Sequence, residues 1–315
     1  MVTSKTISLD GIEKFEGACV LAVGMFDGLH IGHARVFKKA GELAKKHGAI
    51  LGVLTFSPHP STVVDMGRPP VKMICGAQTR AQMFAEAGAR AVFIKNFDKR
   101  FASRSSGSFE KFLKEKFPNL KGLVTGENFL FGAGARGNAE TLAEISARSG
   151  WEYVAVRGVR LKNGARMSSS LMREALSSGN LKLYKRIAGR DYECAGAAVS
   201  GKKLGRKIGF PTINLPWNPD CKPPFGAYAA ELIRGGRVYA GVANYGVNPT
   251  VGEEPPVLET HLFENVRFGA PSKISVRMLK FLRAEKKFPS LDALKRQIAR
   301  DKTAAQKYFA RRLRK

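Results

Sequence analysis

Short apolar runs alternate with longer segments of helical period through the first half of the chain. Residues 20–26, 50–56, 91–97, 122–125 and 153–156 are apolar over strand length, which predicts buried β-strands. Between them, residues 34–47 and 139–148 repeat apolar positions at spacings of three and four, which predicts amphipathic helices. Strands alternating with helices of this length form a parallel sheet covered on both faces, with ligands at the carboxyl ends of the strands.

Near residue 180 the rhythm changes. A helical pattern over 169–183 ends near the Ser178-Gly179 pair. Short strands broken by Gly and Pro follow at 192–199, 212–215, 228–233, 238–242 and 258–263. No helical pattern separates them, so an antiparallel small closed barrel is expected. Residues 291–313 close the chain as a helix, with Leu291, Leu294, Ile298, Ala305, Tyr308 and Leu313 on one stripe. The expected domains are 1–185, α/β, and 186–315, a β-barrel with a C-terminal helix.

Composition fits two ordinary globular domains: 315 residues, 44% hydrophobic, with 33 Gly and 15 Pro. The longest apolar stretches, 19–24 and 49–56, fall well short of the ~20 residues that cross a bilayer. The N-terminal residues show no apolar segment before a small-residue cleavage site, so a cytoplasmic location is expected. Cys19, Cys75, Cys194 and Cys221 are far apart and form no C-x-x-C pair, which disfavours a zinc site or a disulfide framework. Charge is the unusual quantity. The chain has 53 Lys and Arg against 26 Asp and Glu, a net +27, which favours capture of anionic ligands and attracts nucleic acid without specificity. The basic residues are spread along the chain. Even the run from Arg296 onward suits the solvent face and C-terminal dipole of a packed helix, so no specific nucleic-acid partner and no membrane partner is expected.

Chemistry concentrates first in GMFDGLHIGHARVF, where Gly24, Gly28 and Gly32 flank His30 and His33. A strand entering a helix through a Gly-rich turn aims backbone N–H groups and the positive helix end at one point, which suits a phosphate. Two histidines three apart there can direct ring donors at the same anion. Ser168, Ser169 and Ser170, with Arg173 three residues on, form a second such point, although a Ser run before a helix also reads as a plain N-cap. His59 between two prolines and Asn128 follow the second and fourth strands; Arg68 lies in a polar loop. Gly132, Gly134 and Gly137 spell G-x-G-x-x-G but do not follow the first strand, so they read as a loop shaping the cleft rather than a dinucleotide fingerprint.

In the second half, Gly201, Gly205 and Gly209 recur every four residues before Pro211, Thr212 and Asn214, a pattern suited to a polyphosphate flap outside the P-loop class. Thr212 and Asn214 share one strand face and can offer oxygens to Mg²⁺. Glu259 alternates with Leu258, Thr260 and Leu262, on the face away from the leucines, where a carboxylate can accept a hydroxyl proton.

GMFDGLHIGH and RMSSSLMREAL resemble the two motifs of the HIGH-type nucleotidylyltransferase superfamily, with Met167, Ser170 and Met172 in place of Ile, Thr and Ile. TFSPHP and GENFLFG resemble the FMN adenylyltransferase domain of the prokaryotic FAD synthetase family. KIGFPTINL, PFGAYAA, GVANYGVNPTVG and LETHLFE resemble riboflavin kinase, with Ile213 and Ala227 for Ala and Val, and with Asn248 and Phe268-Gly269 where Arg and Tyr-Gly are usual. The resemblance implies a Rossmann-like domain followed by a kinase barrel. It also implies ATP as co-substrate, Mg²⁺, and riboflavin, FMN and FAD as ligands. Its implied catalytic residues are His30, His33, Arg173 and Glu259. Substrate contacts are implied at Gly24, Phe26, Asp27, Gly28, Gly32, His59, Asn128, Ser168, Ser169, Ser170, Gly201, Gly205 and Gly209, and metal contacts at Thr212 and Asn214. The alternatives are a chain with one working half, or a basic RNA-binding protein on a retired enzyme scaffold.

Overall fold

Five of the apolar runs become strands of one sheet. In the computed structural model, which describes residues 4–65, 67, 69–200, 205, 209–247, 255–266 and 273–314, these are β2 (Cys19–Val23), β3 (Ile50–Ser57), β4 (Ala91–Asn96), β5 (Leu120–Gly126) and β6 (Glu152–Val156). A further edge strand, β1 (Lys5–Ser8), precedes them. The order is β1-β4-β3-β2-β5-β6 and every neighbouring pair is parallel. The chain passes from β2 to β3 and β4 on one side, then returns to place β5 on the other. The switch point of the sheet, where ligand crevices form, is therefore at the carboxyl end of β2.

Helices α1 (Ile31–Lys46), α2 (Pro60–Val63), α3 (Ala77–Glu86), α4 (Lys99–Ala102), α5 (Ser106–Lys116) and α6 (Ala139–Ser149) complete this unit. Val36, Phe37, Ala40, Leu43 and Ala44 form the buried stripe of α1. They pack with Ala22, Val53, Val92 and Val124 on one face of the sheet, while Leu21, Leu54, Phe93 and Leu123 pack with Phe112 and Leu142 on the other. Because both faces are covered, all five residues of β2 are buried, as parallel strands require. Each fully buried Val, Leu or Phe side chain contributes about 1.5–3 kcal/mol through burial.

By its contacts the chain divides into Met1–Leu171 and Met172–Lys315, ahead of the expected 185/186. The reason lies in α7 (Ser169–Ser177) and α8 (Leu181–Ala188). Gly179, at φ +72°, separates what the periodicity reads as one helix, and a Cβ there would stand 3.3 Å from Phe281 and 3.4 Å from Pro224. In α8, Leu181, Tyr184, Ile187 and Ala188 are buried, and Tyr184 meets Tyr192 edge-on at 5.4 Å. α8, and α7 from Met172 onward, thus belong to the second unit.

That unit is an antiparallel sheet of β7 (Tyr192–Ala197), β8 (Ile213–Pro216), β9 (Gly226–Arg234), β10 (Arg237–Gly246), β11 (Val257–Leu262) and β12 (Lys273–Ala284). The order is β7-β12-β9-β10-β11-β8. A bridge between Val199 and Asn214 brings the two edges together, so the sheet is a nearly closed barrel. Tyr228, Tyr245, Leu258, Val276 and Met278 are buried. The closing helix α9 (Leu291–Leu313) sets Ala305, Tyr308 and Phe309 against Ala229 and Val242. It is also held by charge: Arg283 Nε donates to both oxygens of buried Asp301 at 3.0 Å and Nη2 donates at 2.7 Å. Among the described residues, no helix is long and apolar enough to cross a membrane.

Candidate active sites

The first site is the turn from β2 into α1. Phe26 and Leu29 have φ of +49° and +38° and Gly28 has +73°, a local strain that folded proteins retain mostly at functional turns. His30 is the N-cap of α1, and its Nδ1 accepts the backbone N–H of His33 at 3.3 Å. The two imidazoles stack with centroids 3.6 Å apart and planes 20° apart. A Cβ on Gly32 would lie 2.9 Å from His30 Cε1, so this ring position requires glycine. Gly24 similarly makes room for the Phe26 ring, whose edge meets His33 at 5.2 Å. Burial pushes the His33 pKa well below its ordinary value, and neighbouring His30 adds to the effect. His33 Nδ1 is buried without a hydrogen-bond partner among the described residues. A stranded lone pair is less costly than a stranded N–H, which favours the tautomer protonated at Nε2.

Asp27, only 2% exposed, ties this turn to two other segments. Its carboxylate accepts the N–H groups of Ile74 at 3.1 Å and Cys75 at 3.2 Å, and its carbonyl accepts Ser169 Oγ–H at 2.8 Å. Ser168 Oγ accepts the N–H of Leu171 and so starts α7, while Ser170 is exposed. The two motifs of the first unit thus meet at the end of β2. Arg173 lies further along α7, in the second unit, where its carbonyl accepts the Cys221 thiol at 3.9 Å. His59 caps α2 by accepting the N–H of Ser61 at 3.1 Å. Asn128 is exposed and accepts from Arg166 at 2.9 Å. Gly132, Gly134 and Gly137 lie in the connection from β5 to α6, away from the first βα turn. Arg68 lies outside the described residues.

Arg80, which belongs to no motif, is buried and donates from Nη1 to the Met25 carbonyl at 3.0 Å. Its one signal is a basic residue at an inward position of α3.

The second site is on β11. Leu258, Thr260 and Leu262 are buried toward the barrel interior, and Glu259 lies on the other face, half-buried. Its cross-strand partners are Asn214 on β8 and Asn244 on β10. Asn244 is a further polar neighbour, legible only once the register is known. Burial raises the Glu259 carboxyl pKa above the ordinary range. Asn214 is 7% exposed, and among the described residues its Oδ1 has no hydrogen-bond partner. Thr212 precedes β8 by one residue. A Cβ on Gly205 would stand 2.3 Å from the Phe210 carbonyl and 3.5 Å from Thr212 Oγ1, so the flap approaches closely here only because residue 205 is glycine. Gly209 follows at φ +87°. Gly201, Asn248, Phe268 and Gly269 lie outside the described residues.

Each unit therefore carries a separate polar centre, and comparison with known proteins divides the chain in the same way. The family model for FAD synthetase matches residues 12–171 and that for riboflavin kinase matches residues 188–309. A bifunctional riboflavin kinase/FMN adenylyltransferase of Escherichia coli (strain K12) is 34% identical over 292 residues, 92% of this chain and 93% of that protein. One of Bacillus subtilis (strain 168) is 33% identical over 305 residues, 95% of each. A crystal structure described as a macrolide-efflux protein from Streptococcus pneumoniae has a TM-score of 0.81 at 27% identity, covering 94% of this chain and 97% of that one. With both family models matched in order and relatives above 30% identity along nearly the whole length, the chain belongs to the bifunctional riboflavin kinase/FMN adenylyltransferase family.

Proposed function

We propose that the chain makes FAD from riboflavin in two ATP-dependent steps, with a separate set of residues for each. The observation that carries this is the cross-strand pairing of half-buried Glu259 with Asn214, whose Oδ1 has no hydrogen-bond partner among the described residues, in one unit, together with the stacked histidines at a helix N-terminus in the other. In the first step Glu259 accepts the proton of the riboflavin 5′-hydroxyl as that oxygen bonds to the γ-phosphorus of ATP, the bond to the β-phosphate oxygen breaks and ADP leaves. A buried Asn214 oxygen with no hydrogen-bond partner among the described residues, two residues from Thr212, fits a hard cation. These two residues would hold Mg²⁺, which when bound offsets charge on the ATP phosphates. Gly205 and Gly209 let the flap backbone approach those phosphates.

In the second step a phosphate oxygen of FMN bonds to the α-phosphorus of ATP and pyrophosphate leaves. His30 and His33 donate ring N–H groups to the charge that develops there, and the backbone N–H groups of the Gly24–Gly28–Gly32 turn add to them. Ser168, Ser169, Ser170 and Arg173 hold the leaving phosphates. Phe26, Asp27, His59 and Asn128 shape the substrate cleft, Asp27 by holding the turn in place. The catalytic halves are assigned to residues 1–185 and 186–315, a division that falls between the two family matches. Four buried cysteines, far apart in the sequence, support a reducing, cytoplasmic setting.

Incubation with riboflavin, ATP and Mg²⁺, with flavins resolved over time, tests the proposal. FMN followed by FAD supports it. FMN alone assigns only the kinase, and unchanged riboflavin with added FMN also unchanged removes the flavin assignment.

A further inference from the structure

We propose that His261 is a positioning residue for phosphoryl transfer: its ring anchors the Pro211 carbonyl and so sets where Thr212 and Asn214 stand relative to Glu259. The functional part of this rests on Glu259 acting as the base; the anchoring part does not.

His261 lies two residues beyond Glu259, on the same side of β11 by strand alternation, and is 8% exposed. Its Nδ1 is 3.0 Å from the carbonyl oxygen of Pro211. A carbonyl only accepts, so Nδ1 carries the proton and the tautomer is fixed. Nε2 is left as a buried lone pair without a partner among the described residues. Burial keeps the ring pKa below its ordinary value; the bond to Pro211 opposes this and the Lys302 charge on α9 adds to it. The neutral ring also takes the edge of Phe210 at 5.3 Å.

The sequence explains why an anchor is needed at this point. The β8–β11 ladder pairs Asn214 with Glu259 and Ile213 with Thr260, and there it stops. Continuing the register one step sets Thr212 opposite His261. Pro211 has no N–H to extend the ladder, so its carbonyl is its one backbone hydrogen-bonding group, and His261 takes it. Upstream, the Phe210 N–H donates to the Gly205 carbonyl at 2.7 Å. The segment is thus pinned at Gly205–Phe210, at Pro211–His261 and at the ladder, with Thr212 between the last two. A phenylalanine would fill the same space without stranding Nε2. What the imidazole alone supplies is the Nδ1 donor.

The experiment compares H261F, which keeps the ring and removes the donor, with H261N, whose Nδ2 stands where Nδ1 does. In H261F, kcat for riboflavin phosphorylation is expected to fall at least about tenfold with the riboflavin KM nearly unchanged, and amide exchange over 209–216 to rise at least about tenfold. FMN adenylylation by the same chain stays at the wild-type rate, and H261N stays close to wild type in every readout. Unchanged exchange in H261F, or losses in H261N equal to those in H261F, would overturn the proposal. Wild-type activity in H261F overturns its catalytic part. If E259Q retains phosphorylation, the base assignment fails separately, and the exchange readout still decides the anchor. Should H261F not fold, H261N is compared with the near-isosteric H261L, which lacks the donor and adds no charge; protection over 209–216 in the first alone supports the proposal, and equal protection overturns it.

Discussion

His30 and His33 lie face to face, 3.6 Å between ring centroids, because the N–H that begins the helix is accepted by the first ring and belongs to the residue carrying the second. With Nδ1 of His30 committed as an acceptor, its ring proton sits on Nε2. The cap and the ring donor are therefore parts of one arrangement.

His30→Ala removes a donor and a cap together. FMN adenylylation is expected to fall by about 10²–10³-fold, the usual cost of one transition-state donor, while riboflavin phosphorylation continues. Flavin chromatography with riboflavin and with FMN as separate starting materials checks both halves.

Gly32→Ala isolates ring placement. Alanine gains about 1 kcal/mol of helix propensity, but its Cβ would displace the His30 ring and weaken a cap of similar worth. The melting temperature is expected to change little, while adenylylation falls at least about tenfold. A fully active G32A would show that the stacked position is not needed.

Acid pH should weaken the first unit through His33. Its pKa is lowered in the folded state, so below about 6.5 the unfolded chain binds a proton that the folded chain refuses. Stability from this group is full above that pH and is lost as pH falls through it. Between pH 7.5 and 5.5 the wild type is expected to lose more melting temperature than His33→Asn.

Glu259 carries the opposite sign. Its carboxyl pKa is raised by burial, so the folded chain takes up the proton more readily and the ionised form is destabilising at neutral pH. Glu259→Gln is expected to melt higher than wild type at pH 7.5, with the gap closing toward acid pH. The same variant loses FMN formation by about 10²–10⁴-fold and still adenylylates supplied FMN.

The parallel sheet and the barrel were legible because their strands keep one period. Each of the five apolar runs in the first half overlaps a strand. β1 was not legible: within KTIS only Ile7 is apolar, and pairing with β4 supplies its order. β12 is not among the strand runs that the pattern predicts. Its alternation through Ile274, Val276 and Met278 breaks at register shifts after Met278 and Phe281, which bury Leu279 out of phase. The glycine turns and paired histidines were visible from spacing alone. The roles of Asn244, Arg80 and His261 were not, because each depends on a strand register or helix packing that brings distant segments together.

Arg283 and Asp301 bear on how the last helix is seated. Apolar stripes repeat every turn, so a helix held by Ala305, Tyr308 and Phe309 alone has near-equivalent seats one turn away in either direction. The guanidinium fork admits only one of them. A shift of one turn, about 5.4 Å, would carry Asp301 out of reach and leave a nearly buried cation facing the helix without its counter-ion, a loss of about 3–5 kcal/mol. The pair thus works as a latch on translation, and the helix has a single stop position along the barrel wall.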